Sequence, residues 1–216
     1  MIKSIIFDMD GTLIDSEPFY QKITLQCMQE YGVPVCAQDL LPLAGANSQQ
    51  FSDFINPRIE GYVTRKEFDE WHDQYFKDHP IDNTKILFHH VHETLSALKE
   101  SGYRLALASS SRKHEIERVL KQCNLTDYFE FFLSGDMFKE SKPNPEIYLV
   151  CIKKLGLTAD ECIAVEDSEY GIAAAKSAKL TCIAKRDTRF GANQSAADYV
   201  VNDLLEIIDI LKGIKS

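Results

Sequence analysis

The sequence predicts an α/β fold: an open, doubly wound parallel sheet whose chain leaves after the first strand, builds a helical insertion and then returns. Three observations carry this. The apolar run Ile5-Ile6-Phe7 stops at Asp8, positions from about 37 to 80 keep helical periodicity without a good strand, and beyond Lys85 helix-like and strand-like segments alternate. Such alternation implies parallel strands joined by crossover helices that cover both faces of the sheet. The expected units are a core of residues 1–15 and 86–216 and a helical cap of residues 16–85, hinged near Ser16 and Lys85.

The elements follow in order. The first strand runs from Ile2 to Phe7, with Gly11 beyond it. A helix over Glu17 to Tyr31 is set by Phe19, Ile23, Cys27 and Met28 at helical spacing and stopped by Gly32 and Pro34. Phe51, Phe54 and Ile55, then Phe68, Trp71 and Tyr75, mark helical pieces of the insertion. A helix at about 90–101 ends at Gly102 before the strand Arg104 to Ala108, and one at about 112–122 leads to the strand Phe131 to Ser134. Helices from Pro143 to Leu155 and from Ser168 to Lys179 precede the strands Cys162 to Val165 and Leu180 to Ala184. A short strand near Tyr199 to Val201 and a helix to about Leu211 complete the pattern.

Composition narrows the function. A chain of 216 residues can bury about 70% of its unfolded surface, so folding alone demands no disulfide or metal. With 24 Lys and Arg against 33 Asp and Glu the net charge is -9, which disfavours phosphate backbones and anionic lipid surfaces. No run approaches the ~20 apolar residues of a membrane span, and Met1-Ile2-Lys3 runs straight into a strand rather than a signal peptide. The expectation is a cytoplasmic monomer that binds neither nucleic acid nor membrane. Cys27, Cys36, Cys123, Cys151, Cys162 and Cys182 form no CxxC pair and read as reduced core thiols.

In open α/β sheets ligands bind at the carboxyl ends of the strands. Four of those ends carry Asp8-Met9-Asp10-Gly11-Thr12, Ser109-Ser110-Ser111, Lys142-Pro143 and Glu166-Asp167-Ser168: clustered carboxylates, a hydroxyl and an ammonium. Carboxylates with water suit Mg²⁺, and Asp8 and Asp167 are the first choices as ligands. Asp8 and Asp10 stand two apart in an extended segment, so one can face metal and substrate while the other leans elsewhere. One can then act as nucleophile, forming an acyl phosphate, and the other as acid and base. Mg²⁺ and Lys142 would neutralise charge on a transferring phosphoryl group, Ser109 would donate to its oxygens, and Gly11 would permit a tight turn with amides facing it. A lone pair of aspartates is weak evidence, since acidic residues at strand ends also cap helices. The ordered set on four strand ends carries the reading.

That set, with Leu105-Ala106-Leu107-Ala108 leading into Ser109, resembles the four ordered motifs of the haloacid dehalogenase superfamily over essentially the whole chain. A helical insertion between the first two motifs is similar to the subgroup that holds phosphoglycolate phosphatases, sugar phosphatases and β-phosphoglucomutases, and Asp10 separates the chain from the dehalogenases proper. The resemblance implies a Rossmann-like core and Mg²⁺ dependence. It implies Asp8 as nucleophile, Asp10 as general acid then base, and an ion held by Asp8, the Asp10 carbonyl and Asp167, with Glu166 nearby or supporting. Ser109 and Lys142 would assist catalysis, and Gly11, Thr12, Ser110, Ser111, Arg112 and Lys113 would surround the phosphate or the substrate.

The expected activity is hydrolysis of a small phosphorylated, sugar-like metabolite through an aspartyl phosphate; the alternative is a mutase. β-Phosphoglucomutases carry an Arg after a Gly-x-Ser stretch of the cap and a His on the first cap helix. Here the segment reads Gly45-Ala46-Asn47-Ser48-Gln49 and the helix position is Tyr20, although Ser111, Arg112 and Lys113 match the loop that holds a distal phosphate. A non-catalytic receiver-like module is excluded by the insertion after the first strand. His89, His90 and His92 read as capping or surface residues rather than a metal triplet, and Trp71, Tyr75 and Phe76 as core packing more than pocket lining. Glu17 suits the positive end of its helix, with a substrate contact as its secondary reading, and Lys85 at the return hinge either reaches the substrate or is only solvated.

Overall fold

The computed structural model describes residues 1–46 and 48–215. Six strands form one parallel sheet: β1 (Ser4–Phe7), β2 (Arg104–Ser109), β3 (Phe132–Ser134), β4 (Cys162–Glu166), β5 (Thr181–Lys185) and β6 (Tyr199–Val201). Their order is β3-β2-β1-β4-β5-β6, so the winding reverses at β1 and a crevice opens beyond its carboxyl end. Phe7 pairs with Leu107 of β2 and Val165 of β4, which sets Asp8 level with Ala108 and Glu166.

Period-two alternation explains the two cores. Ile5, Phe7, Leu105, Leu107, Ile163 and Val165 point to one face of the sheet. There they meet α4 (Val91–Glu100), α5 (Lys113–Gln122) and α8 (Glu206–Lys215) through Leu95, Ile116 and Ile207. The other face presents Ile6, Ala106, Ala108 and Ala164 to α6 (Glu146–Leu155) and α7 (Glu169–Ser177). Small side chains on that face let these helices approach the sheet closely.

Between β1 and β2 the chain forms α1 (Glu17–Glu30), α2 (Ser48–Ile59) and α3 (Arg65–Asp78), with no strand among the described residues. These helices share a separate cluster in which Cys27, Met28, Leu40, Ile55 and Phe68 are buried. The start of α3 is fixed by a capping box: Thr64 Oγ1 accepts the Glu67 amide (3.3 Å) while Glu67 Oε2 accepts the Thr64 amide (3.0 Å). The chain enters and leaves this layer side by side. Asp15 donates its amide to the Ile86 carbonyl (2.6 Å), Phe88 donates to Leu13 (3.0 Å), and Ile14 bridges Leu87 antiparallel.

Several expectations need correction. The helix expected from Pro143 begins at Glu146, because Pro145 biases Asn144 away from helical angles and Asn144 closes a turn on Ser141 instead (3.1 Å). The last helix runs on to Lys215. Five cysteines are buried, but Cys36 is exposed, so it is no core thiol. Trp71 and Tyr75 stack half-buried, with centroids 5.1 Å apart, and the Trp71 indole donates to Glu30 (2.8 Å). His90 adopts the left-handed conformation at the start of α4 without a side-chain capping bond, and its exposed ring pairs through Nδ1 with Asp203 (2.8 Å). No helix of the described residues is long and apolar enough to cross a membrane.

Phe68 is the most deeply buried aromatic of the insertion. Phe68→Ala should therefore destabilise the protein by about 3–5 kcal/mol, read as a lower urea midpoint. A loss below ~1 kcal/mol would mean that the helical layer does not depend on this cluster.

Candidate active site

The carboxyl ends of β1, β2 and β4 converge on one ammonium. Lys142 Nζ donates to Asp8 Oδ1 (2.6 Å), Glu166 Oε1 (2.6 Å) and the Ala108 carbonyl (2.9 Å). Lysine has three N–H donors, so these contacts hold Lys142 by its full complement. The Tyr148 hydroxyl, from α6, donates to the same Glu166 oxygen. Burial works against the Lys142 charge, but the Asp8 and Glu166 carboxylates outweigh it and raise its pKa. Burial pushes the Asp8 carboxyl well above the usual range; Lys142 opposes that shift, while Glu166 and Asp10 add to it. Asp167 is raised likewise, by burial first and then by Asp8 and Glu166.

This donor set fits a hard cation. Oxygens of Asp8, Glu166 and Asp167 lie within 4.8 Å of one another, the one such acidic group among the described residues. One ammonium cannot balance two buried carboxylates and a half-buried third, and Glu166 Oε2 is buried without a hydrogen-bond partner. Oxygen-only ligands of this kind suit Mg²⁺ or Ca²⁺ rather than softer ions. The backbone leaves room for the carboxylates at two glycines. A Cβ on Gly11, whose φ is +74°, would sit 2.0 Å from Asp167 Oδ2, and one on Gly171 would sit 2.0 Å from Glu166 Oε2.

Asp10 faces away from this cluster. Its Oδ1 accepts from the Ser16 hydroxyl and its Oδ2 from the Ser111 hydroxyl, each at 2.6 Å. The Ser109 oxygen accepts the Ser111 amide (3.0 Å), which leaves the Ser109 proton available for another acceptor. Asp8, Asp10, Asp167, Lys142 and Ser109 all line a cavity of about 700 Å³ that extends between the sheet and the helical insertion.

Ser110, Ser111 and Arg112 line that cavity too. Three other residues expected around the phosphate do not. The Gly11 amide is taken by the Ile14 carbonyl (2.8 Å), Thr12 is buried with its hydroxyl 3.5 Å from Asp167, and Lys113 lies 3.7 Å from Glu117. The Met9 and Asp10 amides form no hydrogen bond among the described residues. Asn47 and the Ser48 side chain, which bear on the mutase comparison, lie outside the described residues. Phe76, expected to pack in the core, lines the cavity beside Tyr20, their centroids 5.8 Å apart. Lys85 pairs instead with Asp82 (3.5 Å).

The sequence reasoning missed Ser16 and Tyr148. Tyr148 stands in the apolar stripe of Ile147, Cys151 and Leu155, and a phenol in such a stripe needs a buried acceptor. That was the available signal. Ser16 carried none beyond its place at the expected hinge.

Residues 5–185 match the haloacid dehalogenase-like hydrolase family. Hexitol phosphatase B of Escherichia coli K12 is 32% identical over 95% of this chain and 94% of its own. A phosphoglycolate phosphatase of Vibrio vulnificus YJ016 is 31% identical over 97% and 96%. Among solved structures, β-phosphoglucomutase from Clostridium difficile superposes with a TM-score of 0.80 at 22% identity, over 99% of this chain and 96% of that one, a likeness of fold. The chain belongs to the haloacid dehalogenase-like hydrolase family, and within it to the phosphoric monoester hydrolases.

The raised pKa of Asp167 has a sign that can be measured. When the folded value lies above the unfolded ~3.9, the group favours the folded state most in acid, and that contribution is lost as pH rises through the folded value. Asp167→Asn should therefore stabilise the cation-free protein relative to wild type, more at pH 8 than at pH 5, in paired urea titrations. A divalent cation at 100 times its Kd should add about 2.7 kcal/mol to wild type and much less to the variant. Equal stabilisation of both would remove Asp167 from the ion's site.

Proposed function

We propose that this hydrolase is a Mg²⁺-dependent phosphatase that releases phosphate from a small sugar-like phosphomonoester through an aspartyl phosphate on Asp8. One observation carries the reading: Asp8 is fixed by Lys142 beside Asp167, while Asp10, two residues on, is held separately by Ser16 and Ser111 at the same cavity. One carboxylate is thus positioned to attack and the other to move a proton. Support for sugar-like substrates comes from relatives such as hexitol phosphatase B. Mg²⁺ bound by Asp8, Asp167 and the Asp10 carbonyl, with Glu166 in support, would supply positive charge at the transferring phosphoryl group.

The protein's own residues then divide the work. Asp8 attacks phosphorus, and the bond to the leaving oxygen breaks. Lys142, held between Asp8 and Glu166, lowers the repulsion between the attacking carboxylate and the phosphoryl oxygens. The Ser109 hydroxyl and the Met9 and Asp10 amides offer donors to those oxygens, with Ser110 beside them. Asp10 gives its proton to the departing alkoxide. It then takes one from the water that cleaves the acyl phosphate and regenerates Asp8. Both hydroxyl contacts in the structure donate to Asp10, the arrangement suited to the ionised base; in the acid step one of them must turn to accept.

Residues 16–85 serve as a cap that closes over the site and excludes bulk water, turning near Ser16 and Lys85. Tyr20 favours hydrolysis over mutase chemistry, because burial raises its phenol further above neutrality and it cannot shuttle protons as an imidazole does. The enzyme acts as a monomer in the cytoplasm.

Asp8→Asn should abolish phosphate release while leaving the circular dichroism spectrum unchanged; full turnover by this variant would end the assignment. Asp10→Asn should slow turnover roughly 10²- to 10⁴-fold. Chelation should abolish activity and Ca²⁺ should inhibit, because its looser coordination lets a carboxylate bind through both oxygens. With β-glucose 1-phosphate and a bisphosphate primer, inorganic phosphate should exceed glucose 6-phosphate, and the reverse ratio would favour the mutase.

A further inference from the structure

Two polar atoms belonging to residues of the cavity wall are buried without a hydrogen-bond partner: His72 Nε2, from α3, and Arg118 Nε, from α5. Arg118 forms no ion pair with any described residue. Unpaired buried donors are rare in folded proteins and call for a ligand or water to satisfy them. The His72 ring is fixed among aromatic neighbours, 4.7 Å from the Phe68 centroid and 6.3 Å from that of Phe51. Burial pushes its pKa down to about 4, so at neutral pH it is an uncharged group. Its Nε2 can accept or donate one hydrogen bond, the valence that a hydroxyl matches.

The surrounding charges argue against a second anion. Away from the reaction centre the cavity has three guanidiniums, of Arg65, Arg112 and Arg118. Against them stand three carboxylates, of Asp69, Asp73 and Glu115, and the Glu17 carboxyl, whose pKa burial raises to about 7. Arg65 is already bound to Asp69 at 2.7 Å. No net positive field remains to offset a carboxylate or second phosphate on the substrate.

We propose that Arg118 and His72 determine specificity, holding the leaving group between core and insertion and selecting an uncharged, polyhydroxylated one that carries a single phosphate. Arg118 donates to one hydroxyl oxygen and His72 pairs with another. The inference rests on the phosphatase reading above.

The test compares kcat/KM for sorbitol 6-phosphate, phosphoglycolate and p-nitrophenyl phosphate with Mg²⁺. Wild type should prefer the polyol ester to phosphoglycolate by about 10-fold or more. Arg118→Met and His72→Phe should each lower the ratio of polyol to aryl ester by about 10-fold, mainly through KM, and Arg118→Lys should restore part of it. Arg118→Gln and His72→Asn replace any variant whose thermal transition shows that it has not folded. An unchanged ratio in either folded variant, or a wild-type preference for phosphoglycolate, would overturn the proposal. Absence of turnover of all three esters by wild type is instead the failure of the phosphatase reading itself.

Discussion

A single buried ammonium organises this molecule. Lys142 is 4% exposed, Asp8 6% and Glu166 0%, so these groups stand outside water and face one another. Desolvating a carboxylate or an ammonium costs several kcal/mol, and only close pairing with further hydrogen bonds offsets it. The Ala108 carbonyl and the Tyr148 hydroxyl supply those bonds. Asp8 and Glu166 come from segments far apart in the chain and meet when β1 and β4 are in register, and Lys142 reaches both from the loop between β3 and α6. Pairing at the site and pairing in the sheet therefore form together.

The same constraint reaches into the packing. Tyr148 can touch Glu166 only because α6 lies close to the sheet, and α6 lies close because Ala106, Ala108 and Ala164 occupy that face. Gly171 in α7 and Gly11 in the turn after β1 give up their side chains to the space taken by Glu166 and Asp167. The Asp167 carbonyl is tied in turn to Gln194, whose amide also donates to Lys185 (2.6 and 2.7 Å). The loop after β5 thus braces the acidic cluster from behind.

Strand ends were legible in the sequence because a buried parallel strand is an apolar run that stops abruptly, and the polar residues just past the stop gather at the crevice beyond the sheet. That logic located Asp8, Ser109, Lys142, Glu166 and Asp167. One or two residues further on, Gly11 and Thr12 do not line the cavity, because the turn after Asp10 folds back on itself and takes up their amides. The same logic could not anticipate Tyr148, Ser16 or the cavity-facing Phe76, since helical periodicity names a buried stripe without saying which members meet a polar neighbour. Lys113 was one position out of reach, since consecutive residues at a helix start diverge by about 100° (3.6 residues per turn).

The paired crossing at Leu13–Asp15 and 86–88 places the two ends of the insertion in direct contact, with Asp15 and Ile86 joined at 2.6 Å. To the sheet, the whole of α1 to α3 is then geometrically equivalent to a tight turn. Insertions whose ends meet in this way disturb the host little, so the core can keep one reaction while this layer is shortened, enlarged or exchanged. The architecture separates inheritance of the chemistry from diversification of what is admitted to it, and a grafted layer need reproduce only the spacing of its two ends.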